Sequence, residues 1–157
     1  MDDRTDPAAG QKAARYDRDL YSWAIEQAAL LRAGRIAEAD ALNIAEELDD
    51  VGSKQFDKLE DALRQILLHL LTWDHQPQRR LRSWQATIQI QRRFASKALR
   101  KNPGLKPLVD EAIAEAYDEA RLEAAVEIDR DENSFPEQCP YPLSVIMDRP
   151  IDWPPQD

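Results

Sequence analysis

The sequence predicts an all-α protein, about five helices in a single bundle-like domain with an extended, proline-rich C-terminal segment. Three observations carry this. Glycine is scarce, at 4 of 157 residues, while Ala, Leu, Glu and Arg are abundant, which favours helix. Apolar residues recur at helical spacing in every long segment, and no stretch alternates as a strand would. Six of the ten prolines lie at or beyond Pro136, where helix and central strand are both excluded. At this length one domain is expected, able to bury about two-thirds of its surface. The expected organisation is a disordered leader over 1–15, a helical bundle over 16–133 and a proline-rich segment over 134–157 packed on the bundle.

The first helix is expected over 17–32, with Leu20, Trp23, Gln27 and Leu30 at helical spacing and Gly34 as the stop. A second is expected over 37–51, with Ala41, Ile44, Ala45 and Leu48 on one side and Gly52 ending or bending it. Ser53 is the expected N-cap of a third helix over 54–75. There Leu59, Leu63, Ile66, Leu70 and Trp73 step by four, three, four and three, the seam of a helix packed in a bundle. Pro77 stops it. The fourth runs over 84–101, capped by Ser83, with Trp84, Ile88, Ala95, Ala98 and Leu99 on one half of the wheel. Arg93, Lys97, Arg100 and Lys101 hold the other half, and Arg92 falls on the border. After the breaker Asn102-Pro103-Gly104, a fifth helix over 107–129 carries Ala112, Ala116, Ala120 and Ala124 at i+4, small enough to let another helix come close. A last helical turn is expected at 143–147.

Charge is partitioned along the chain. No carboxylate lies between Asp74 and Asp110, and that stretch holds nine cations. Residues 1–74 carry a net −7 and residues 110–157 a net −11, so the chain as a whole stands at −9. Such a balance argues against general affinity for nucleic acid but leaves room for a local site. Arg79, Arg80, Arg82, Arg92, Arg93 and Lys97 are the candidate residues for an anionic partner, an acidic protein or a nucleic acid meeting residues 79–101. The competing expectation is internal: a basic helix between acidic neighbours forms salt bridges, each worth about 0–1 kcal/mol when exposed. The segment lacks interleaved exposed aromatics for base stacking, which weakens a single-strand reading.

A second candidate is a polar pocket of Glu46, Glu47 and His69, placed on different helices and read as an acid–base pair or small-ligand site. Metal is not expected there, because no Glu-x-x-His occurs and His75 points about 120° from His69. The structural alternative for His69 is a core histidine bonded to a glutamate or a carbonyl. Gln27 and Gln91, on apolar faces, are expected to bond each other or Asn43. Cys139 is the single cysteine, so no internal disulfide forms; a packed, inert thiol and a reducing cytoplasm follow. No cofactor is implied. No stretch approaches the roughly 20 apolar residues of a membrane span, and Met1–Lys12 lacks the apolar core of a signal peptide.

A set of short motifs adds a family resemblance. They are Trp23 with Gln27–Arg32, Asn43–Leu48, His69–Trp73, Gln76-Pro77, Ser83-Trp84, Gln91-Arg92-Arg93, Ala116-Tyr117, Ala120-Arg121 and Phe135–Tyr141. In this order and spacing, over roughly 16–148, the chain resembles the uncharacterised bacterial family catalogued as domain of unknown function twenty-nine. The resemblance implies a small all-helical protein. It implies no chemistry, and no residue role is carried over from it. The function expected is a non-enzymatic interaction or regulatory protein, for which a homodimer is a compatible state; the alternative is an enzyme or ligand binder using the polar pocket.

Overall fold

The computed structural model describes residues 15–156. The expected leader therefore lies outside the described residues, apart from Arg15. Among these residues there is no strand; the protein is all-α. After a helical turn over 15–18 come α1 (Leu20–Arg32), α2 (Ala41–His75), α3 (Arg82–Lys101), α4 (Val109–Glu127) and α5 (Leu143–Asp148). Short 3-10 turns join them, the longest at Pro103–Leu108. Where one domain was expected, the chain divides after Ser53 into two compact units.

In the first unit, Asp19 caps α1 by accepting the Ser22 N–H at 3.0 Å. That bond holds the Asp19 carboxyl below its usual value. Gly34, at φ 72°, ends the helix in a conformation that costs glycine nothing. Asp40 then ties the turn together. Its side chain accepts from Trp23 Nε1 at 3.1 Å and from Asn43 Nδ2 at 2.8 Å. Its own N–H donates to Gln27 Oε1 at 2.8 Å, so the buried Gln27 amide finds a backbone partner in place of the amide partners expected. Tyr16 packs edge-on to Trp23 and donates to Glu47 at 2.7 Å. Trp23 and Gln27 are the only fully buried side chains of this unit among the described residues.

α2 is one uninterrupted helix across the division, where two were expected. Gly52 does not break it and Ser53 lies within it rather than capping it. A lone glycine costs a helix only about 1 kcal/mol relative to alanine, and no proline adds to the penalty. The same correction applies to Ser83: α3 begins at Arg82 and its N-terminus has no side-chain cap.

The second unit is built on the C-terminal part of α2. Leu59, Leu63, Ile66, Leu70 and Trp73 are buried as the seam required, in one cluster with Trp84, Ile88 and Ala95 of α3. The four alanines of the i+4 stripe on α4 are wholly buried beside Tyr117. Residues after α4 add Phe135, Ile146 and Ile151 to the cluster. Polar anchors fix them there. Tyr117 donates to the Pro136 carbonyl at 2.6 Å, and Asp74 accepts from Tyr141 at 2.8 Å and from both Arg149 Nη atoms at 2.9 and 3.0 Å. Cys139 packs half-buried against the same core, and burial pushes its thiol pKa up.

Candidate functional site

The basic segment resolves into cations that are occupied and cations that are not. Arg92 is occupied. Its Nε, Nη1 and Nη2 donate to the carbonyls of Ile146, Arg149 and Val145 at 2.8, 2.7 and 3.1 Å. A guanidinium fork thus closes the C-terminal end of α5, where unpaired carbonyls collect negative dipole charge. Burial, with Arg149 nearby, lowers its pKa from the ordinary arginine value. Arg80 does a similar thing at the end of α2: Nε donates to the Trp73 carbonyl at 3.0 Å and the guanidinium lies 4.9 Å from the Trp73 ring centre. These two candidate partner residues are therefore anchors of the fold.

Arg79, Arg82, Arg93 and Lys97 are exposed, as are Arg100 and Lys101, and among the described residues none of the six makes an ion pair. The internal neutralisation weighed against a binding role is not what these cations do. The carboxylates of α4 that do pair reach Arg64 of α2 and not α3. Arg64 bonds Asp61 and Glu123 and sits 3.6 Å from Glu119.

Two of these unpaired cations, Lys97 and Lys101, line a groove. It lies between the second-unit part of α2 and α3 and encloses about 520 Å³. Lys58, Lys97 and Lys101 stand round it with the amides of Gln55, Gln91 and Asn102. Ala62, Ala98 and Phe94 supply its apolar surface. Asp61 is its one carboxylate and is already held by Arg64. Phe94 is 56% exposed, an aromatic ring standing among lysines. Helical spacing puts it there: Ile90, Phe94, Lys97 and Lys101 follow at i, i+4, i+7 and i+11, one strip of α3. Arg93 and Arg100, with Arg92 and Lys97, border a second, shallower hollow on α3. Arg79 and Arg80 border a third beside Trp84 and Glu127. Arg82 borders none of these. Sequence reasoning missed Lys58 and Phe94. The strip on α3 could have revealed Phe94; nothing local marks Lys58, which reaches the groove from another helix.

Of the second candidate set, Glu46 and Glu47 stand on the first unit's part of α2 and His69 on the second unit's part. His69 is half-buried and stacks on Trp84 at 6.5 Å between ring centres. Its Nδ1 is buried without a hydrogen-bond partner, so neither the glutamate nor the carbonyl expected is there. Burial lowers its pKa below the ordinary histidine value, opposed by Glu127 and Glu123.

Comparison with known proteins adds an assignment of lineage. The family described as domain of unknown function DUF29 matches residues 15–151, most of the chain. The chain belongs to the DUF29 family. No curated protein and no solved structure matches it. For this DUF29 protein, then, the argument for function rests on its own side chains. No helix among its described residues is long and apolar enough to cross a membrane.

Proposed function

We propose that this protein is a non-enzymatic interaction module of the cytoplasm whose α2–α3 groove takes an acidic segment of another protein. One observation carries the reading: Lys58, Lys97 and Lys101 stand round an apolar floor, and among the described residues none of them makes an ion pair. Such a groove suits an amphipathic partner helix that lays apolar side chains on Phe94, Ala62 and Ala98 and points carboxylates at the lysines. Lysines act as compact point charges here, whereas the arginine forks that match phosphate bidentately lie outside the groove. The net charge of −9 also disfavours a long polyanion. A single half-buried thiol is at home in a reducing compartment.

The test is fluorescence anisotropy with two labelled probes, an amphipathic peptide of leucine and glutamate and a single-stranded oligonucleotide. The peptide is expected to bind, to weaken steadily as salt screens the lysines, and to lose at least about tenfold in affinity in Lys97→Glu/Lys101→Glu, a change of about 1.4 kcal/mol. Tighter binding of the oligonucleotide, with a steep salt slope, would move the partner to nucleic acid. Peptide binding untouched by the double substitution would dismiss the groove.

A further inference from the structure

The described residues of the first unit expose an apolar surface. On α1, Tyr21, Ala24, Ile25, Ala28 and Leu31 recur at i, i+3, i+4, i+7 and i+10, a second apolar stripe beside the buried Trp23 edge. On α2, Leu42, Ala45, Leu48 and Val51 hold one half of the helix and are all exposed. Tyr21 is 78%, Leu42 86% and Leu48 64% exposed.

We propose that a second copy of the chain covers this surface, so that two α1–α2 hairpins form an antiparallel four-helix arrangement about a two-fold axis. Tyr16 meets Glu47 and Trp23 meets Asp40, so the two helices run in opposite senses. Measured from that seam, each apolar face lies roughly a third of a turn further along its helix's own winding. For opposed helices those rotations bring both faces to the same side of the hairpin. The result is a single, mainly apolar surface that carries one cation, Arg32, on its α1 half and one carboxylate, Asp49, on its α2 half.

Its size fits a copy of itself. Leu20, Tyr21, Ile25, Leu31, Leu42, Leu48 and Val51 expose, together, on the order of 800 Å² of apolar surface, one partner's share of a standard interface. A unit of 53 residues, Met1–Ser53, is short enough for its own core to be marginal, and among its described residues only Trp23 and Gln27 are buried.

Charge fixes the pairing. Arg18 borders the face on the α1 side and Glu46 on the α2 side, while Arg32 falls within the α1 stripe, between Tyr21 and Ile25 round the helix, and Asp49 within the α2 stripe, between Ala45 and Leu42; among the described residues none of the four makes an ion pair. With α1 laid on the second copy's α2, the cations of one meet the carboxylates of the other. With α1 laid on α1, like charges would face each other. This surface is separate from the groove, and its test does not involve the groove.

Sedimentation equilibrium of the full chain through the micromolar range decides the matter. The wild type is expected at twice the 18.0 kDa of one chain, and Ile25→Glu/Leu48→Glu at 18.0 kDa with unchanged helix content by circular dichroism. Arg32→Glu should shift the equilibrium toward monomer, and adding Asp49→Arg to it should restore the dimer. The charge pair decides alone if the apolar variant loses helix. A monomeric wild type, or a dimer that survives both apolar replacements, would overturn the proposal. Failure of the paired reversal to restore association would overturn the packing of α1 on the second copy's α2.

Discussion

Arg92 and Arg93 are adjacent, chemically identical and opposite in role. Arg92 turns inward and satisfies three carbonyls at the end of α5; Arg93 stands in solvent with no partner among the described residues. Removing this half-buried charged donor leaves the Ile146 and Arg149 carbonyls without it, while Val145 keeps the Arg149 N–H at 3.3 Å, and losing a donor from buried acceptors costs more than the bonds are worth in water. Arg92→Ala should therefore destabilise the fold by about 2 kcal/mol or more, read as a lower urea midpoint. Arg93→Ala should stay within about 0.5 kcal/mol of wild type. The reverse order would mean that the α5 anchor carries no load. The helical wheel already hinted at this difference by placing Arg92 on the border between the apolar and cationic halves. It could not name the acceptors, which lie more than fifty residues away in sequence.

Among the helices, α2 shows how far local pattern reaches. Its buried seam from Leu59 to Trp73 follows from spacing alone, and the alanine stripe of α4 and the exposed cationic flank of α3 were legible in the same way. Its continuity was not. A glycine followed by a serine reads as punctuation, yet one glycine is a small penalty in a 35-residue helix. The groove was legible only in part for a related reason: Lys97 and Lys101 belong to one strip, whereas Lys58 joins them through packing that no local pattern encodes. If Gly52 is an ordinary helical position, a methyl group there meets nothing within 4 Å in the chain. Gly52→Ala should then raise stability by about 0.5–1 kcal/mol through the lost freedom of the unfolded chain. A urea midpoint that fell instead would show that the backbone at 52 is not helical.

For the molecule as a whole, burial is distributed very unevenly between the two units. The second holds a contiguous cluster running from Leu59 to Ile151, tied at its C-terminal end by Asp74, Tyr141, Arg149 and Arg92. The first holds Trp23 and Gln27 and a set of polar bonds centred on Asp40. Local opening free energy follows buried apolar contact, so amide exchange should separate the units. Amides of residues 59–73 and 112–125 should exchange only through global unfolding, and those of residues 20–48 well before it. If a second copy covers the first unit, the contrast acquires a concentration dependence. Association stabilises whatever it covers by mass action. Raising the protein concentration across the dimerisation range should then slow exchange in residues 20–51 and leave the protection of 112–125 unchanged. Uniform slowing would place the covered surface elsewhere, and early protection of residues 20–48 at high dilution would mean that the first unit stands without a partner.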